Sequence, residues 1–219
     1  MNIWKHKYPQ NIWASEIVKI LKSNIEYTSG TIVDAPCGNG IIGSLVSKEL
    51  DTPKILLLDN DASLSKSPYV INEKIDYRIE DIFDFKIDGK DNTWLLINSL
   101  YCLPDSEVLI SGKRDKFKYI IGIFPNIESS NYKYFTKKHP EFSNPSSKDI
   151  KSTNELFNQS GYIVVSQKKI TRLAFHKWNN VFDRLKFPLI LKNIIYLTFE
   201  KILFFISGHY TIIAFKRSE

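Results

Sequence analysis

Cysteine is scarce in this chain: Cys37 and Cys102 are the two among 219 residues. Two cannot frame a disulfide scaffold, and they lack the paired C-x-x-C spacing of a zinc site. A reducing, cytoplasmic setting is the simplest expectation. No uncharged apolar run reaches about 18 residues, so no transmembrane helix is expected. The opening stretch MNIWKHKYPQNIW has no apolar h-region, so no secretory leader is expected either. No repeat, low-complexity tract or interdomain linker is evident, which excludes solenoids and arrays. No carboxylate–histidine spacing points to a metal. What is present is an ordinary globular composition, with 43% hydrophobic, 13% aromatic and 25% charged residues. Such a chain can bury a full core, and residues 1–219 read as one domain.

The net charge of +6 is unevenly spread. Residues 1–160 hold 20 Lys/Arg against 21 Asp/Glu, a balance of −1; residues 161–219 hold 10 against 3, a balance of +7. A uniformly basic nucleic-acid binder is thereby disfavoured. The last quarter is either a local surface for something anionic (phosphate, nucleic acid or membrane) or a lysine-rich solvated face.

Asn11–Ser23 carries Ile12, Ile17, Ile20 and Leu21 at near-helical spacing and reads as an amphipathic helix. Short apolar runs follow at Thr31–Val33, Lys54–Leu58, Ile75–Ile79, Thr93–Ile97 and Lys118–Phe124, the last stopped by Pro125. They read as strands apolar on both faces. Ile41–Leu50 and Asp149–Gln159 read as helices, the second stopped by Gly161. Tyr162–Lys169 and Tyr210–Lys216 read as two late strands. Strands separated by helical stretches imply βαβ units and a mostly parallel sheet covered on both sides. Glu128–Ser147, polar and aromatic with Pro140 and Pro145, reads as a loop or lid.

The segment most informative about chemistry is TIVDAPCGNGIIG, Thr31–Gly43. A strand ends in Asp34, and Pro36, Cys37, Gly38, Asn39 and Gly40 lead into a helix. Glycines let backbone turn sharply and a ligand approach without Cβ interference. The helix that follows aims its free N–H groups at the loop. Asp59 ends the next run, 19 residues past Gly40, at the distance where an acid meets ribose hydroxyls. Asp81 ends the third run and could accept from an exocyclic amine. Each acid alone could equally be a helix cap or a solvated loop carboxylate. Gly38, Gly40 and Gly43 also fit the G-x-G-x-x-G of a dinucleotide-binding oxidoreductase, the competing reading. Cys37 is either a reactive thiol at a helix N-terminus or a small packing residue.

With Asp34 before the loop and Asp81 after the third strand, the chain resembles the class I S-adenosylmethionine-dependent methyltransferases. The likeness covers about residues 11–170 and the final strand. It implies a three-layer Rossmann-like α/β fold with seven strands, the last antiparallel. It also implies S-adenosylmethionine as cofactor. The loop Asp34-Ala35-Pro36-Cys37-Gly38-Asn39-Gly40 would hold its methionine part. Asp59, with Asn60, would bind the ribose, and Asp81, with Ile82, the adenine. Asn98, opening Asn98-Ser99-Leu100-Tyr101, would face the methyl group. Pro36 departs from the family pattern, in which the first glycine usually stands there; proline fixes φ and removes a donor.

The acceptor is less legible. Asn98-Ser99-Leu100-Tyr101 faintly resembles the Asn-Pro-Pro-Tyr of nucleic-acid amino methyltransferases, without its prolines. Tyr101, His139 and His176 are the candidate catalytic residues; a lone histidine is more often structural or merely exposed, and Tyr101 could simply pack on the cofactor. Residues 171–208 read as a helical insertion between the last two strands. Within it, 187–206 (FPLILKNIIYLTFEKILFFI) repeats Leu191, Ile195, Phe199, Ile202 and Ile206 at helical spacing, with Lys192, Asn193, Glu200 and Lys201 roughly opposite. It is a buried helix roofing sheet or acceptor, an interfacial helix on the inner membrane, or a dimer surface. The expected activity is methyl transfer to oxygen or nitrogen of a small or lipid-linked acceptor, a bacterial surface saccharide being the first class to try. A nucleic-acid methyltransferase and an inactive methyltransferase-like binding module are the alternatives.

Overall fold

The computed structural model describes residues 7–50, 55–67, 75–100, 103, 105–138, 140, 147–172, 181–182, 184–203, 205–206 and 208–219. In chain order, helix α1 (Lys7–Ser23) precedes strand β1 (Ile32–Asp34), α2 (Ile41–Glu49), β2 (Ile55–Asp59), β3 (Ile75–Ile79) and β4 (Asn92–Ile97). Then come α3 (Ser106–Lys113), β5 (Phe117–Pro125), α4 (Ser130–Lys138), α5 (Ile150–Gln159), β6 (Tyr162–Ile170), α6 (Leu189–Ile202) and β7 (Tyr210–Arg217). The strands form one seven-stranded sheet in the order β3-β2-β1-β4-β5-β7-β6. Pairing is parallel from β3 through β5, while β7 runs antiparallel to both β5 and β6.

Alternate residues of the central strands bury on opposite faces. Ile32, Ile55, Leu57, Leu95, Tyr119, Ile121, Ile212 and Ala214 join one core cluster with α1 and α2. Val33, Leu56, Leu58, Trp94, Leu96, Ile120, Ile213 and Phe215 join a second with α3 and α5. Two apolar faces need a helical layer on each side, giving three layers. The expected fold class is met.

Particular elements differ from expectation. The apolar runs at β3 and β6 are edge strands; only Ile75 of β3 and the two ends of β6 are buried. The expected loop or lid over 128–147 contains α4, whose Phe135 is buried beside His209. The apolar stripe of 187–206 is divided, with Ile195 and Phe199 packed against the core and the rest turned away from it or only half-buried. Leu191 and Ile202 are exposed, while Tyr196 and Glu200 are buried.

The chain builds β1, β2 and β3 outward in one direction, then crosses to β4 on the other side of β1. Connections therefore diverge at β1/β4. In open α/β sheets the crevice beyond the carboxyl ends of strands at such a point is the ligand site.

Candidate active site

A cavity of about 780 Å³ opens at that point. Its walls include Asp34 from the end of β1, Asp59 and Asn60 from β2, Asp81 and Ile82 after β3, and Asn98 after β4. Pro36, Cys37 and Gly38 form the loop wall. Nine of the ten residues expected to hold the cofactor thus converge. The tenth, Gly40, does not line the cavity; it is the N-cap of α2 at φ 75° and donates to the Cys37 carbonyl at 3.0 Å. Tyr101, His139 and His176 lie outside the described residues.

The loop is built by short bonds. The Ala35–Pro36 peptide is cis. Cys37 N–H donates to the Leu58 carbonyl at 3.0 Å. Gly38 sits at φ 57°, and a Cβ placed there would meet nothing within 4 Å. Positive φ suits glycine, and the open space leaves room for a ligand against the backbone. Gly43 has the opposite reason to be glycine. A Cβ there would fall 2.3 Å from Leu57 Cδ2 and 3.0 Å from Asp34 Oδ2, so α2 packs on the sheet through bare backbone.

Asp59 ties the loop to β2. Its Oδ2 accepts the Gly38 N–H at 2.7 Å and its Oδ1 accepts the Asp61 N–H at 3.0 Å. An ionised carboxylate offers about four lone-pair sites, so capacity for hydroxyl donors remains. Asp81 accepts from the Phe83 N–H at 2.8 Å, turning residues 81–85 under the cavity. Lys113 secures that turn by donating to the carbonyls of Phe83 (2.9 Å) and Phe85 (2.6 Å). Asn98 takes φ 50°, a conformation asparagine tolerates better than most residues.

Asp34 is only 1% exposed. Its Oδ2 accepts the Gly43 N–H at 3.1 Å, while its Oδ1 has no hydrogen-bond partner among the described residues. Burial pushes its pKa from 3.8 up to about 7; the Gly43 bond opposes that shift and the Asp59 charge adds to it. Burial also pushes the Cys37 thiol up, and the charges of Asp34 and Asp59 push it further. A thiol shifted that way is a poor nucleophile near neutrality, and Cys37 packs against the core cluster that includes α1 and α2.

Sequence reasoning missed the wall supplied by α1. Gln10 and Trp13 line the cavity, as do Ser99 and Leu103 beyond β4. Gln10 is a buried polar residue on a helix whose other buried positions are mostly apolar. That interruption of the apolar stripe was the available signal. Trp13 Nε1 donates to Thr171 Oγ1 at 3.0 Å, which links the cavity wall to the end of β6.

No protein-family profile matches the chain. Over 74 residues it is 30% identical to protein 235L of Invertebrate iridescent virus 6, whose name assigns it provisionally to the methyltransferases. That match takes in 34% of this chain, and the chain spans only 27% of that relative's length. The magnesium protoporphyrin IX methyltransferase of Synechocystis PCC 6803, solved with bound SAH, superposes with a TM-score of 0.65 at 12% identity. The superposition covers 100% of this chain and 89% of that one. The methyltransferase domain of bacterial CtHen1-C gives 0.62 at 14% identity over 95% and 98% of the two chains. Mitomycin 7-O-methyltransferase MmcR gives 0.62 at 12% over 94% and 54%. At such identities the likeness is one of fold. The resemblance to class I methyltransferases is borne out at that level.

Proposed function

We propose that the chain is an S-adenosylmethionine-dependent methyltransferase acting on an oxygen or nitrogen of a small or lipid-linked acceptor. One observation carries the reading. Acids from three successive strand ends, with a glycine turn open to approach, surround a single cavity at the switch point. The residues fit the cofactor. Asp59 has acceptor capacity for a ribose diol, Asp81 for an adenine amine, and the orphaned Oδ1 of Asp34 for a donor of the methionine part. When bound, S-adenosylmethionine supplies a methyl group on a cationic sulfur, primed for in-line displacement. The protein's contribution is then mainly positioning and exclusion of water. Trp13, Ile97 and Leu103 give the cavity apolar wall, and Asn98 and Ser99 give it polar groups at the end of β4. The narrower expectation of a saccharide acceptor rests on the basic, apolar last quarter of the chain.

Calorimetric titration with S-adenosylhomocysteine, beside the Asp59→Ala variant, tests the reading. Expected is micromolar binding that the substitution weakens at least tenfold, about 1.4 kcal/mol. Absence of binding at millimolar ligand would overturn it and leave a binding module on a methyltransferase fold.

A further inference from the structure

Helix α6 is apolar on both faces, and only one of them packs on the core. Amphipathic helices of globular proteins bury the apolar stripe and expose the polar one. Here the outward residues are Ile190 (75% exposed), Ile194 (54%), Leu197 (39%) and Ile202 (56%), a ridge at spacings of three to five. Leu185, 62% exposed, extends it before the helix begins. The inward side packs Tyr196, with Ile195, Phe199 and Leu203 beside it, on the core, and it also carries a buried acid. Glu200 is buried, accepting the Arg172 N–H at 2.8 Å and Arg172 Nη1 at 2.9 Å. Asn193 Oδ1 is likewise buried, with no hydrogen-bond partner among the described residues. The ion pair and Tyr196 hold the helix in this orientation, so the ridge faces outward by construction.

Something apolar must meet this ridge, and the surrounding charge says what. Arg184, Lys186 and Lys201 are exposed around it. Between residues 184 and 206 the one acid is Glu200, which is turned inward onto Arg172. An isologous dimer would appose this patch to itself and bring like charges together. An anionic lipid surface complements both features, accepting the ridge among its acyl chains and the cations among its headgroups. At 14 residues α6 is about 21 Å long, short of the roughly 30 Å hydrocarbon core. No helix among the described residues is long and apolar enough to cross a membrane. The fitting geometry is a helix lying in the plane of the interface.

We propose that the α6 face docks the protein onto anionic membrane surfaces. The docking face is mechanically tied to the cavity. Glu200 holds Arg172, the adjacent Thr171 accepts from Trp13, and Trp13 lines the cavity wall. Docking thus sets the position of the acceptor wall against the bilayer. The docking itself stands independently of the methyl-transfer reading.

Vesicle co-sedimentation of the full chain tests it, using phosphatidylcholine vesicles with and without about one-third phosphatidylglycerol. Expected is binding to the anionic vesicles, at least tenfold weaker on neutral ones and falling with salt. Ile190→Asp/Ile194→Asp should weaken binding at least tenfold while leaving the circular-dichroism melt unchanged. Lys186→Glu/Lys201→Glu should do the same, and serves if the first variant folds poorly. Binding equal on neutral vesicles, or unchanged in both variants, overturns the proposal. A wild-type chain that ignores vesicles overturns it, and one that instead forms a dimer that Ile190→Asp/Ile194→Asp dissociates overturns it in favour of a second copy.

Discussion

Asp34 makes a quantitative claim about stability and pH. Folding buries its carboxyl and raises the pKa from 3.8 to about 7. The sign follows from proton binding. Between those values the native state holds a proton that the unfolded chain has released, so stability falls as pH rises. The penalty is absent below about pH 4 and complete above about pH 7. The two pKa values stand about three pH units apart, and each unit is worth 1.36 kcal/mol, so the total is about 4 kcal/mol. Asp34 is 1% exposed, so solvent screening does not reduce this figure much. Asp34→Asn removes the titration and keeps the shape. Urea unfolding of both proteins across that pH range gives the difference directly, since other titrating groups cancel. Expected is a wild type that loses about 4 kcal/mol relative to Asp34→Asn from low to high pH. For a chain of this size that is a relative drop of roughly 10 °C in Tm. Parallel stability curves for the two proteins would refute the reasoning, because they would mean that Asp34 ionises natively at an ordinary pH.

Three further outcomes follow from packing and bonding. Gly43→Ala puts a methyl 2.3 Å from Leu57 Cδ2, so it should cost about 1–3 kcal/mol in urea unfolding and weaken S-adenosylhomocysteine binding. A change under about 0.5 kcal/mol would show that α2 yields easily. Glu200→Ala strands the largely covered Arg172 and should cost about 3 kcal/mol, whereas Glu200→Met/Arg172→Met should recover most of it in the same unfolding assay. Lys113→Met removes two bonds to the 81–85 turn and should weaken S-adenosylhomocysteine binding a few-fold, read by calorimetry, with a stability loss near 1 kcal/mol. An unchanged affinity would show that the turn holds its shape without the lysine.

Much of the sheet was legible because a strand buried on both faces has to be apolar throughout. Ile55–Leu58 and Thr93–Ile97 announce themselves that way. What local sequence does not encode is position within the sheet. β3 has the sequence IDYRI and is paired along one side only, at the sheet edge, so four of its five residues are exposed. Ser130–Lys138, SNYKYFTKK, has too few apolar residues to show a stripe. It is helical because the buried Phe135 anchors it beside His209, their rings 5.5 Å apart. The cavity acids were legible for a reason of topology. In parallel α/β sheets every strand ends on the same side, so Asp34, Asp59 and Asp81 had to converge if their strands were adjacent. Gln10 and Trp13 precede the first strand, and no comparable rule says where a leading helix packs.

The case of α6 shows why periodicity alone misleads. Its stripe was visible in the sequence, but a stripe says only that one side differs from the other. Which side faces inward is decided by what the interior offers. Here the interior offers Arg172, a largely covered guanidinium just past the end of β6 that is costly to leave unpaired. Glu200 is the acid within reach, and turning it inward points Ile190, Ile194 and Ile202 outward. The ion pair and the apolar side chains beside it thus settle together which side faces inward. Unpaired burial of a charge costs several kcal/mol, while leaving one aliphatic side chain exposed forgoes about 1.5–3 kcal/mol. The inward packing of Tyr196, Ile195, Phe199 and Leu203 adds to the ion pair, and together they set the orientation against the exposed ridge.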